Sequence, residues 1–305
     1  YPKALEYYSR ALAIQEKVFG LDHPDTAGSY NDIGSVYADQ GDYPKALKYY
    51  FKALSIKEKV LGLDHPATAG SYNNIGAVYY NQGDYPKALE YYFKALSIQE
   101  KVFGLDHPDV ATSYNNIGSI YSSQGDYPKA LEYHFKALSI TEKVFGLDHP
   151  ATAGSYNNIG AVYYNQGNYP KSLEYCFKAL SVREKVLGLD HPDTAISYNN
   201  IGSVYSSQGD YPKALEYHFK ALSITEKVFG LDHPATAGSY NNIGLVYSSQ
   251  GDYPKALEYY FKALSVREKV LGLDHPDTAI SYNNIGSVYS SQGDYPKALE
   301  YYFKA

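Results

Sequence analysis

The dipeptide Tyr-Pro returns every 42 residues, at Tyr1, Tyr43, Tyr85, Tyr127, Tyr169, Tyr211, Tyr253 and Tyr295. A period of this length restricts a chain to a stack of small, similar units, none of which can bury its apolar face alone. Seven complete units fit, starting at 1, 43, 85, 127, 169, 211 and 253, and a partial unit occupies 295–305. Length alone, 305 residues, would suggest two globular domains. Solenoids grow by adding units, however, so residues 1–305 are read as one repeat array. Residues 127–210 and 211–294 differ at six positions only: Ala161/Leu245, Tyr164/Ser248, Asn165/Ser249, Asn168/Asp252, Ser172/Ala256 and Cys176/Tyr260. A tandem duplication leaves that kind of identity.

One unit decodes into two helices. From Pro66 to Gln82, the residues Ala69, Tyr72, Ile75, Gly76 and Tyr79 recur at offsets of three and four, the spacing of a helix face. Asp64 and Pro66 supply the start signal, with the aspartate read as the cap. Gly83-Asp84 breaks the chain, and the Asp84 carboxylate is suited to cap the next helix. That second helix runs from Tyr85 to Phe103, with Ala88, Leu89, Tyr92, Ala95, Leu96, Ile98 and Val102 as its inward set. Gly104 is expected as a left-handed terminator with Leu105 in hydrophobic contact behind it, and Lys101 complements the helix dipole. The chain is therefore all-α.

Gly76 and its counterparts Gly34, Gly118, Gly160, Gly202, Gly244 and Gly286 stand in mid-helix, at a cost of about 1 kcal/mol each against alanine. A cost repeated in every unit predicts a close approach, with Ala88 and Ala95 as the small partners across it.

Composition narrows the function. The 27 basic and 33 acidic residues give a net charge of −6, without the concentrated basic face that a nucleic acid requires. No apolar run approaches the roughly 20 residues that span a bilayer. The single cysteine excludes an internal disulfide framework and points to a reducing, cytoplasmic compartment. The chain opens on Tyr1 without a methionine anywhere and reads as a fragment of a longer product.

Laid out as Ala69-x-x-Tyr72-x-x-Ile75-Gly76-x-x-Tyr79 followed by Ala88, Tyr92 and Ala95, the unit resembles the tetratricopeptide repeat. It departs from the common 34-residue form where a proline would end the second helix. Here Glu100 stands and the helix continues. The 42-residue variant, with Glu-Lys-Val-(Phe/Leu)-Gly-Leu-Asp-His-Pro at its junction, is similar to the repeats of kinesin light chains and to arrays attached to nucleotide-binding signalling proteins. The resemblance implies a right-handed superhelical solenoid of antiparallel helix pairs, its first helices lining a concave groove that binds peptides. It also leaves open a sensor region of a larger signalling protein.

The family's six groove positions correspond in the second unit to Gly70, Asn73, Asn74, Ala77, Tyr80 and Asn81. They read as small or polar throughout, without Lys or Arg, and the only charged members are Asp32 and Asp39. A terminal-carboxylate clamp is not expected from such a set. The recurring element is an asparagine pair: Asn73/Asn74, Asn115/Asn116, Asn157/Asn158, Asn199/Asn200, Asn241/Asn242 and Asn283/Asn284, with Asn31/Asp32 as the variant. An amide side chain carries a donor and an acceptor, so a ladder of them could pair with an extended peptide backbone. The same ladder could instead bond neighbouring first helices and fix their stacking. Tyr80 and Tyr164 project toward the groove and could stack on a ligand or fill space between first helices.

Catalysis and metal binding find little support. The His-Pro histidines (His23, His65, His107, His149, His191, His233, His275) occur once per unit, whereas a metal needs three or four converging ligands, so they read as capping or packing residues. His134, Cys176 and His218 occupy one core position in three successive units. Stacking keeps such equivalents roughly 8–10 Å apart, too far for a thiolate–imidazole pair. No phosphate loop or nucleotide fingerprint is present. The expected protein is not an enzyme and uses no cofactor. It is a scaffold for a protein or peptide partner, or a structural array that associates with itself end to end.

Overall fold

The computed structural model describes residues 2–305. Tyr1, the first marker of the period, lies outside the described residues, as does the side chain of Pro2. Among the described residues the chain forms fifteen α-helices and no strand: α1 (Pro2–Phe19), α2 (Pro24–Asp39), α3 (Tyr43–Leu61), α4 (Pro66–Asn81), α5 (Tyr85–Phe103), α6 (Pro108–Ser123), α7 (Tyr127–Phe145), α8 (Pro150–Asn165), α9 (Tyr169–Leu187), α10 (Pro192–Ser207), α11 (Tyr211–Phe229), α12 (Pro234–Gln250), α13 (Tyr253–Leu271), α14 (Pro276–Ser291) and α15 (Tyr295–Lys304). None of the described helices is long and apolar enough to cross a membrane. The helices divide between two compact units, Tyr1–Gly146 and Leu147–Ala305. In the first, α2 pairs with α3, α4 with α5 and α6 with α7. In the second, α8 pairs with α9, α10 with α11, α12 with α13 and α14 with α15. Within each unit a second helix also packs on the first helix that follows, as α3 does on α4 and α9 on α10. This is an all-α solenoid of helix pairs.

The punctuation works as the sequence suggests, with several changes of actor. Pro66 occupies the first turn of α4, but the cap before it is His65, whose Nδ1 accepts from the Ala67 main-chain N–H at 3.1 Å. Asp64 is not the cap; its Oδ2 instead takes a salt bridge from Lys101. Lys101 thus ties the end of α5 to the preceding loop rather than merely facing the dipole. Asp84 does cap α5, accepting from the Lys87 N–H at 3.3 Å. The left-handed ending sits at the turn within the pair, not at Gly104. Gly83, at φ 76°, donates its N–H to the Tyr80 carbonyl, and Asp84 donates to that of Tyr79, which is the Schellman pattern. Gly104 has positive φ but an extended ψ of 169°, and Leu105 behind it is 64% exposed. Val102, expected to face inward, is exposed as well.

The mid-helix glycine has the spatial reason expected of it, with a different partner. A Cβ added at Gly76 would stand 3.3 Å from the Tyr92 ring. At Gly34 and Gly244 the rings of Tyr50 and Tyr260 would be 2.8 and 2.7 Å away, and at Gly118 and Gly202 the imidazoles of His134 and His218 would be 2.9 and 2.8 Å away. A ring from the second helix, not Ala88 or Ala95, lies against the bare backbone. Ala88 and Ala95 are fully buried beside Ile75, Ile117 and their neighbours in the cores.

Pairs are also joined by polar contacts. Glu100, where the shorter form of the repeat has proline, accepts from the Tyr114 hydroxyl of the next first helix at 2.7 Å. Glu58 holds Tyr72 in the same way at 2.6 Å. Burial and this carboxylate raise the hydroxyl pKa of both tyrosines well above the ordinary value.

His134 and His218 are both 2% exposed, and burial pushes each imidazole down to about 4. The unfolded chain takes up a proton near 6.5 that the folded ring refuses until about 4. Stability therefore falls as pH drops through that window and the loss is complete below it, at about 3 kcal/mol per histidine. Replacing both by tyrosine, the residue at Tyr50, Tyr92 and Tyr260, should remove this component. In urea titrations the variant's advantage over the natural chain should grow as pH falls from about 6.5 to about 4. A constant difference would show that the rings carry no such penalty.

Candidate functional site

The groove positions lie on one side of the helix pairs, where successive first helices of a unit run beside each other. In three places the asparagines join those helices. Asn74 Nδ2 donates to Asn31 Oδ1 at 2.7 Å, Asn284 Nδ2 donates to Asn241 Oδ1 at 2.8 Å, and Asn200 donates likewise to Asn157. At Asn115 and Asn199 the side-chain oxygen turns inward instead, accepting from Nδ1–H of His134 at 2.9 Å and of His218 at 3.0 Å. Asn73 Oδ1 is buried without a partner. Asn116, Asn158 and Asn242 are half-buried, and Asn283 is exposed.

Tyr80 and Tyr164 also bridge first helices. The Tyr80 hydroxyl is 3.0 Å from Ser123 Oγ, and that of Tyr164 is 2.8 Å from Ser207 Oγ. Each ring leans on the tyrosine at its own turn, Tyr85 or Tyr169, about 6 Å away between centroids.

Two cavities mark this side in the second unit. One, about 290 Å³, is lined by Asn157, Gly160, Ala161, Tyr164, Ser172 and Cys176 and closed by Asn200, Ser203 and Val204 of α10. The other, about 390 Å³, lies among α10, α11, α12 and α13. Its lining includes Ile196, Asn199, Asn241, Asn242 and Arg267.

Three side chains correct the reading of the positions as small or polar. Ile196 and Ile280 stand where Gly70 does, Leu245 stands where Ala77 does, and all three are about half exposed. Nor is the side free of cations, because the second helices supply them. Arg267 of α13 lines the larger cavity while its Nη1 donates to the Asp277 carbonyl at 3.0 Å and to Ser281 Oγ at 2.7 Å. Lys57, one of the same series, donates to Ser71 Oγ at 2.9 Å; burial raises the carboxyl pKa of Asp32, and the nearby Lys57 cation offsets part of that rise. The signal was in the sequence: Gln15, Lys57, Gln99, Thr141, Arg183, Thr225 and Arg267 vary from unit to unit amid near-identical neighbours.

The suspected chemistry is otherwise employed. His23, His65, His107, His149, His191, His233 and His275 each cap a helix through Nδ1. Among the described residues no three His, Cys, Asp or Glu side chains group as a metal ion requires. Cys176 is 4% exposed, and burial pushes its thiol up to about 11, the opposite of activation.

The tetratricopeptide-repeat family matches residues 1–59, 25–92, 67–143, 124–164, 151–227, 198–269 and 235–305. The chain belongs to that family. No curated protein matches it. Solved structures share the fold at low identity, among them the following three. The nearly identical repeats of a kinesin light chain-like protein from Podosopora anserina are 21% identical, over 65% of this chain and 94% of that one, with a TM-score of 0.55. A Rap protein complexed with competence and sporulation factor is 18% identical, over 99% of this chain and 83% of that one, at 0.65. A signal-transduction ATPase with a tetratricopeptide repeat sensor from Pyrococcus horikoshii is 20% identical, over 97% of this chain but 43% of its own, at 0.65.

Helices α4 and α8 have the same sequence, which isolates the asparagine contact. Asn157→Ala takes the acceptor from Asn200 and should cost about 1 kcal/mol. Asn73→Ala removes an oxygen that already lacks a partner and should be neutral or mildly stabilising. Urea midpoints of the two variants check the contrast; equal losses would show that the inter-helix bond contributes nothing.

Proposed function

We propose that the chain is a protein-interaction scaffold holding an extended peptide segment along the first-helix side of its compact units. The carrying observation is that five groove asparagines, Asn157, Asn199, Asn200, Asn241 and Asn242, line the two cavities on that side. Amide groups there can serve a peptide backbone without reading its side chains, while the cavities receive side chains at intervals. Asparagines committed to neighbouring helices, such as Asn31 and Asn157, mainly set the spacing of the ladder. Asn242, half-buried in the lining of the larger cavity, is better placed to serve a ligand. The complex of the Rap protein of like fold with competence and sporulation factor agrees in kind with this reading.

For the scaffold, capture from a random peptide library should fall at least about tenfold, or 1.4 kcal/mol, when Ile196→Ser and Asn242→Ala are combined. Unchanged capture by a folded variant would overturn the assignment of this side.

A further inference from the structure

The smaller cavity can be traced to one missing ring. In the second pair the Tyr92 ring lies against Gly76 of α4. In the fourth pair the first helix, α8, repeats α4 residue for residue, but Cys176 stands where Tyr92 does. The Sγ atom meets Gly160, 3.1 Å from where a Cβ would stand, and the volume of a phenol ring is left open above it as part of the 290 Å³ space.

Divergence is concentrated at this place. Of the six positions that distinguish residues 127–210 from 211–294, four line the cavity: Ala161, Tyr164, Ser172 and Cys176. In the sister block Leu245, Ser248, Ala256 and Tyr260 stand there, and the Tyr260 ring lies over Gly244. Scattered drift over 84 residues would not be expected to gather on one small lining.

We propose that the fourth helix pair holds a pocket for one aromatic ring of phenol size, presented as a tyrosine side chain by the bound segment. In that last clause it rests on the scaffold reading. The mouth opens at Ala161, which is exposed on the first-helix side. Tyr164, held by Ser207 and leaning on Tyr169, forms a fixed aromatic wall. Ser172 donates to the Gly160 carbonyl at 2.8 Å and braces the floor. Asn157, Asn200 and Ser203 offer partners to a phenolic hydroxyl, and the Cys176 sulfur is a soft, polarizable contact for the ring face. The array thus leaves to a partner the ring that Tyr92 and Tyr260 supply internally.

The probe is p-cresol, the side chain of tyrosine, titrated into the full chain and followed by two-dimensional NMR. One saturable site is expected, with a Kd of about 1 mM or tighter. Cys176→Tyr should fold at least as stably and bind at least about tenfold more weakly. In the natural chain p-cresol should slow alkylation of Cys176, the single cysteine, by iodoacetamide. No saturable site, equal binding by Cys176→Tyr, or a thiol left unprotected at saturation would each overturn the proposal. Because p-cresol needs no peptide, its binding without capture of any segment would count against the scaffold reading and leave the pocket standing.

Discussion

Six of the seven described helix pairs depend on a side-chain ring laid over bare helix backbone, and the fourth has the Cys176 thiol in its place. Glycine at position 76 and its equivalents costs about 1 kcal/mol of helix propensity. A buried aromatic ring removes some 150–250 Å² from water, roughly 4–6 kcal/mol before entropy is charged. The exchange favours glycine plus ring by a wide margin, and it sets how closely the two helices approach. The next pair is then held by contacts that need this spacing. Ile75, Ala88 and Ile117 are fully buried, and the hydroxyl of Tyr114 comes within 2.7 Å of Glu100.

The ring also reaches the surface through its hydrogen-bonding. Over Tyr50, Cys176 and Tyr260 the first asparagine of the pair offers its oxygen sideways, to Asn74, Asn200 and Asn284. Over His134 and His218 the same oxygen turns inward to the imidazole. A histidine at the core position thus draws the asparagine oxygen to its own core and away from the neighbouring first helix. Asn73, above Tyr92, does neither, and nothing in the structure explains why.

Much of this was legible in the sequence, and the misses have definite causes. The helix limits of α4 and α5 follow from Pro66, Gly83 and Asp84. The cap was misassigned to Asp64 on intrinsic preference, although proline at the first helical position already makes His65 the cap. Periodicity showed that Gly76 faces inward but not which side chain crosses to meet it, because a face has several candidates. The groove was misread for another reason. Its consensus is small and polar, as at Gly70 and Ala77, and Ile196, Ile280 and Leu245 depart from it in single units. Arg267 lay outside the six positions altogether, since it comes from a second helix.

In an array of near-identical units, surfaces built by the consensus cannot tell a partner where along the array to bind. The outer side is of that kind: Phe51, Phe93, Phe177, Phe219 and Phe261 are about equally exposed, and each meets the tyrosine of the next pair edge-on at 6.0–6.2 Å. The lysines over these tyrosines repeat as regularly, at 4.7–4.8 Å for Lys94, Lys136, Lys220 and Lys262. A ligand on that side would gain as much in one register as in the next. On the first-helix side the register is marked, by Ile196 and Ile280, by Leu245, by Arg267 and by the space beside Cys176. Specificity is a difference of affinities between alternatives, and the first-helix side makes the alternatives differ.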